Sequence, residues 1–138
     1  MKNKFHCILL VDDNVADNRY NQIIMEEMDI TEKVLVAASA QEAINILSQQ
    51  ETPHPDLILL DINMPGMNGW EFLEAYKNLY IDKKSTSMIV VLTTSMNPED
   101  RKKAAQITGI AAYEIKPLTQ HLLQKMLLKY LPGTGSGQ

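Results

Sequence analysis

The chain has 138 residues, 45% of them hydrophobic and 22% charged, with a formal charge of −4 from 13 basic and 17 acidic side chains. That is room for one domain with a full core. There is no basic surplus to favour nucleic acid or an anionic membrane as a direct partner, and no apolar stretch near the length that spans a bilayer.

Strand-like and helix-like periods alternate along the sequence. The first strand is predicted at about residues 6–11, with Cys7 as a small apolar strand residue, and it ends on Asp12-Asp13. A helix over 15–28 follows, with Ala16, Tyr20, Ile23, Ile24 and Met28 on its inner face and Asn18, Arg19 and Gln22 outside. Val34 to Ala38 reads as a second strand. Ser39-Ala40-Gln41-Glu42 is a capping box opening a helix whose buried stripe is Ala40, Ala43, Ile44 and Leu47. Pro53 and Pro55 break the chain before a third strand over 56–60, which ends on Asp61. The third helix follows Gly69, with Phe72, Leu73, Tyr76 and either Leu79 or Tyr80 inward, and Lys83 to Ser87 reads as an exposed loop. A fourth strand, Met88 to Leu92, ends on Thr93-Thr94. Asn97-Pro98-Glu99-Asp100 then starts a helix with a capping side chain, a first-turn proline and acids at the positive end of the dipole. The fifth strand, about 111–115, is followed by Lys116-Pro117. Thr119 opens a last helix with Leu122, Leu123, Met126, Leu127 and Tyr130 as apolar positions. The Gly- and Ser-rich segment from Pro132 to Gln138 is expected to be a disordered tail or linker remnant.

Five β/α units in alternation imply an α/β fold in three layers, a parallel sheet covered by helices on both faces. The polar residues that close the runs then lie along one sheet edge, where open α/β sheets bind ligands. Paired carboxylates at Asp12 and Asp13, with Asp61 from another strand end, suit a hard divalent cation such as Mg²⁺. No Gly-rich phosphate loop supports a bound nucleotide. Phosphoryl transfer onto the protein itself is the better fit: a carboxylate as nucleophile, the cation offsetting charge, and Lys116 with a hydroxyl holding the remaining oxygens. Taken singly, each of these features reads more simply as a turn, a cap or a loop. Their recurrence at matching strand ends is what favours a site.

The pieces Ile8-Leu9-Leu10-Val11-Asp12-Asp13-Asn14, Asp61-Ile62-Asn63-Met64-Pro65-Gly66-Met67-Asn68-Gly69, Val91-Leu92-Thr93-Thr94 and Tyr113-Glu114-Ile115-Lys116-Pro117 together resemble a response-regulator receiver domain of two-component phosphorelays, over residues 5–131. The resemblance implies a flavodoxin-like, doubly wound five-stranded parallel sheet in the order 2-1-3-4-5. It implies Asp61 as phospho-acceptor, Asp12, Asp13, Asp61 and the Asn63 carbonyl as ligands of Mg²⁺, and Lys116 as the lysine that reaches the phosphoryl oxygens. Pro117 matches the proline after it, often cis in the family. Thr93 is the first choice for the switching hydroxyl and Thr94 the second. Tyr113 matches an aromatic that turns inward with it, or else is a half-buried strand tyrosine.

The expected function is a phosphorelay switch. A sensor histidine kinase or phosphotransfer protein donates phosphate to Asp61, the domain catalyses its own phosphorylation and dephosphorylation, and a downstream protein reads the face of the fourth helix, fifth strand and fifth helix. The helix after Asp13 is expected to dock the kinase. No direct nucleic-acid or membrane contact is expected, and the chain would be a monomer or a homodimer. One cysteine and no signal peptide fit the cytoplasm. The same features would suit a receiver fragment of a larger multidomain regulator. A metal-dependent aspartyl-phosphate phosphatase is less favoured, because Asn63 stands where such enzymes place a second acid. A receiver-like scaffold that is never phosphorylated would commonly lack one of these acids. His6, His54 and His121 show no ligand spacing. Trp70, just after the Asp61 loop, should report Mg²⁺ binding by its fluorescence.

Overall fold

In the computed structural model, which describes residues 4–49, 51–79 and 87–130, β/α alternation runs through the chain. The elements are β1 Phe5–Val11, α1 Val15–Met28, β2 Thr31–Ala37, α2 Ala40–Leu47, β3 Leu57–Leu60, α3 Gly69–Asn78, β4 Met88–Thr93, α4 Pro98–Gln106, β5 Ile110–Ile115 and α5 Gln120–Tyr130. All strand pairs are parallel, in the order β2-β1-β3-β4-β5. The expected tail from Pro132, Tyr80, and Lys83 to Thr86 of the expected loop lie outside the described residues.

Strand alternation splits the core into two layers. Ile8, Leu10, Leu57, Leu59, Val90 and Leu92 face one side, where Ile24 and Met25 of α1 and Leu123, Met126 and Leu127 of α5 cover them. Leu9, Val11, Ile58, Leu60 and Ile89 face the other, against Ala40 and Ala43 of α2 and Phe72 and Leu73 of α3. With β1, β3 and β4 buried on both faces, their near-continuous apolar runs are explained. Cys7 is one of these buried residues, and burial pushes its thiol up to about 11. It behaves as a small apolar side chain.

Capping fixes where the helices begin. Ser39 Oγ accepts from the Glu42 amide at 3.0 Å, and the Glu42 carboxylate bonds the Ala38 amide, one residue short of the reciprocal partner of a full box. The complete box is at α3, between Asn68 and Glu71 at 2.9 Å in both directions. Asn97 caps α4 through the Glu99 amide, with Pro98 in its first turn.

The α1 face differs from expectation. Asn18, Asn21, Ile24 and Met25 are buried, whereas Ala16, Tyr20 (46% exposed) and Ile23 (39%) face outward. The first two turns of α1 lie over the polar end of the sheet, where amides are needed: Asn18 Nδ2 donates to the Asp12 carbonyl at 2.8 Å. The buried stripe therefore begins polar and becomes apolar only as the helix descends over β1. β2 also starts three residues earlier than expected, because its pairing with β1 reaches back to Phe5↔Thr31.

Candidate functional site

Register places the chemistry. Val11 pairs with Ala37 and Leu60, Leu60 with Val91, and Thr93 with Ile115, so the strand ends are level along one edge. The ladder continues one step past the strands. The Asp12 amide donates to the Ala37 carbonyl at 3.1 Å, Asp61 to Val11 at 3.0 Å, and Lys116 to Thr93 at 2.9 Å. These bonds fix the backbone beneath three of the candidate residues.

Carboxylate oxygens of Asp12, Asp13 and Asp61 all lie within 4.8 Å of one another, with Asp12 and Asp61 buried and Asp13 exposed. Asp12 Oδ1 accepts from the Asn14 amide at 2.9 Å, and Asp61 Oδ1 from the Asn63 amide at 3.2 Å. Each carboxylate is thus oriented by an amide two residues on. Lys116 enters from the β5 end. Its Nζ is 2.7 Å from Asp12 Oδ2, 2.7 Å from Asp17 Oδ2 and 3.5 Å from Asp61 Oδ2. The Lys116–Pro117 peptide is cis.

Thr93 is fully buried, accepts at Oγ1 from the Ser95 amide at 3.2 Å, and has its hydroxyl near enough to Asp61 to oppose the rise of that carboxyl. Thr94 is exposed and lines a cleft beside Asp17 and Lys116. Of the two threonines, Thr93 is the one turned to the acid cluster. Beyond Thr93 the chain links to the next elements: Ser95 Oγ bonds the Asp100 carboxylate of α4, and Tyr113 OH of β5 donates to the Ser95 carbonyl at 3.2 Å. Arg101 of α4 covers the Tyr113 ring, its guanidinium carbon 4.8 Å from the centroid.

Gly69 lets this architecture close. A Cβ there would fall 2.6 Å from Ile62 Cα and 3.1 Å from the Asp61 carbonyl oxygen. The start of α3 therefore rests directly on the backbone of the Asp61 loop, joined by a 3.1 Å bond from the Gly69 amide to the Ile62 carbonyl. Trp70 lies at the α3–α4 junction, its ring centroid 5.1 Å from Lys103 Nζ of α4.

Electrostatics follow from the packing. Burial raises the Asp61 carboxyl above its ordinary value; the Asn63 amide and the Lys116 charge oppose this without cancelling it, and Asp12 adds to it. Burial works against the Lys116 ammonium, but its bonds to Asp12 and Asp17 and the charge of Asp61 outweigh that and hold it protonated well above the ordinary lysine range. The donor set is oxygen only and carries three negative charges in one small volume. That chemistry fits a hard divalent cation and would be strongly self-repelling without compensation. Asp12, Asp13 and Asp61 are the residues that could hold one, with Asn63 beside them in the loop. The three histidines do not join this cluster: His6 and His121 are exposed, and His54 bonds Ser87 at 3.1 Å.

Two residues and two contacts were missed in the sequence. Asp17 is an acid in the first turn of α1, an ordinary helix-start position that gives no signal of a lysine partner 99 residues away. Asn18 was assigned to the surface and is buried, with its Oδ1 left without a hydrogen-bond partner among the described residues. The Ser95–Asp100 and Arg101–Tyr113 contacts are pairings that no spacing in the sequence signals.

A family model described as the response regulator receiver domain matches residues 8–128. Response regulator Rcp1 of Synechocystis is 35% identical over 136 residues, covering 94% of this chain and 86% of that protein. A solved Mn²⁺-bound form of response regulator Rcp1 aligns with a TM-score of 0.70 at 32% identity, covering 91% of each chain. The sensor histidine kinase GacS of Pseudomonas protegens is 30% identical over 123 residues, which are 89% of this chain but 13% of the kinase, so the chain spans only a small part of such relatives. A two-component response regulator from Cytophaga hutchinsonii superimposes with a TM-score of 0.85 at 33% identity, covering 94% of this chain and 98% of that one.

Proposed function

The chain belongs to the response-regulator receiver family of two-component signalling, and from that premise we propose that it is a phosphorylation switch with Asp61 as acceptor. One observation carries this reading: three carboxylates and an ammonium, from three strand ends far apart in sequence, share one pocket edge. A phosphohistidine on a sensor kinase or phosphotransfer protein is the donor. An Asp61 carboxylate oxygen attacks phosphorus, the O–P bond forms, and the N–P bond breaks to leave imidazole on the donor. Mg²⁺, taken by Asp12, Asp13, Asp61 and the Asn63 carbonyl, would offset charge on the transferring oxygens; a relative solved with Mn²⁺ supports a divalent site.

The chain's own residues do the rest. Lys116, already 3.5 Å from Asp61 Oδ2, pairs with a phosphoryl oxygen as it arrives. Thr93 supplies a hydroxyl from below. Its movement is passed through Ser95, which is bonded to Asp100 of α4 and to the Tyr113 hydroxyl of β5, biasing the α4–β5–α5 face that a downstream protein reads. Kinase docking is assigned to α1. Arg19 and Gln22 are joined there by outward-facing Tyr20 and Ile23, while Asn18 is removed from that surface by its burial. The functional unit is residues 5–131, acting in the cytoplasm either alone or as the receiver portion of a larger regulator, as the match to part of GacS would suit. Asn63, without a titratable proton, supports a switch over a turnover phosphatase.

Beryllofluoride with Mg²⁺ tests the reading. Wild-type protein is expected to bind it with a change in Trp70 fluorescence, and Asp61→Asn to give no change while keeping its fold. An equal response in both would reassign the acceptor. Asp13→Asn should weaken the Mg²⁺ requirement's half-point by at least about tenfold, as loss of a charged ligand does.

A further inference from the structure

Asp17 holds a place that phosphoryl transfer does not call for. It is the third residue of α1, where an acid near the free helix-start amides is ordinary, and its own amide is capped by Asn14 Oδ1 at 2.9 Å. Its carboxylate is engaged elsewhere. Asp17 Oδ2 stands 2.7 Å from Lys116 Nζ, as close as Asp12 and nearer than the acceptor Asp61 at 3.5 Å.

We propose that Asp17 is a positioning residue that holds the Lys116 ammonium on the α1 side of the site, in competition with a phosphoryl group on Asp61, and so weakens the switched form. The inference rests on Asp61 being the acceptor. An ammonium has three N–H donors, and two are committed to Asp12 and Asp17. The third is free for a phosphoryl oxygen, so the contest is over where the ammonium stands: a carboxylate drawing it toward α1 opposes the shift toward Asp61 that the phosphoryl group favours. The two carboxylates are not equal in this contest. Asp12 is also satisfied by the Asn14 amide and stands among the candidate cation ligands, whereas among the described residues Asp17 pairs with Lys116 alone. Its pull therefore persists in the switched form. The ammonium has space to follow it, since Asp17, Thr94, Lys116 and Pro117 border an open cleft of about 270 Å³. Asp17 is also 39% exposed, so its hold is a modest bias and not a lock.

A double-mutant cycle with Mg²⁺ and beryllofluoride separates this from a general effect of charge. The 138-residue wild-type chain, Asp17→Asn, Lys116→Met and the double variant are titrated, with the rate of phosphorylation by phosphoramidate as a second measurement. Asp17→Asn is expected to bind beryllofluoride about fivefold more tightly than wild type, in keeping with a part-exposed ion pair, and to hold its phosphoryl group longer. In the Lys116→Met background the same substitution should change neither quantity. Unchanged or weaker binding by Asp17→Asn would overturn the inference, as would a gain of the same size without Lys116. No binding by wild type would overturn the acceptor reading itself, which is a different result from normal wild-type binding with an inert Asp17.

Discussion

With Asp12, Asp13 and Asp61 gathered within 4.8 Å and, among the described residues, Lys116 as the lysine beside them, the site concentrates more negative charge than its own cation offsets. Burial is the chief cause that holds the Asp61 carboxyl above the ordinary 3.8, and the Asp12 charge adds to it. A carboxyl with a folded-state pKa above its unfolded one favours the fold while protonated. Its contribution is fully present below pH about 3.8 and is lost as pH rises through the folded value. At neutral pH, Asp61 therefore opposes folding. Asp61→Asn should raise the melting temperature of the metal-free protein by a few degrees at pH 7, with the gap closing as pH falls toward 4. Melts of both proteins across that range check it, and a gap that widens in acid would contradict it. The acids and Lys116 were legible in the sequence because each closes an apolar run. Asp17 was not, since its partner comes from the far end of the chain and no spacing rule connects them.

At the level of elements, the loop carrying Asp61 is held by the start of α3, and the closeness depends on one missing side chain. Gly69→Ala would drive a Cβ to 2.6 Å from Ile62 Cα, which is backbone and cannot swing aside. The expected cost is about 1–3 kcal/mol of stability, as for overpacked cores, together with weaker Mg²⁺ binding because the loop moves with Asp61. Chemical denaturation and a Mg²⁺ titration measure the two effects, and a variant equal to wild type in both would mean that the loop and helix are not coupled. The pattern of periodicity and capping residues revealed the ten elements of the described residues to within a few positions. It failed on the face of α1, where Tyr20 and Ile23 were expected inside and Asn18 outside. A helix that crosses from a polar site to an apolar core carries two kinds of buried stripe. A single hydrophobic period reads only the second.

Across the whole molecule, parallel pairing of five strands is what converts scattered sequence into a site. Thr93 and Lys116 meet only because β4 lies beside β5, and Asp12 and Asp61 only because β3 lies beside β1. Alternation of elements predicted the parallel sheet. The order of its strands came from the resemblance to known receivers, because nothing local in the residues distinguishes it from other doubly wound arrangements. The contacts from Thr93 through Ser95 to Asp100 and Tyr113 lie beyond sequence reading altogether, since they depend on side-chain directions set by the finished fold. The central claim, that these converging groups make Asp61 a phospho-acceptor, is met most directly by intact mass after treatment with an acyl phosphate and Mg²⁺. Wild type should gain a single phosphoryl group, and both Asp61→Asn and wild type stripped of divalent cation should gain none. A phosphoryl group on Asp61→Asn, or none on the wild type with Mg²⁺ present, would contradict the account.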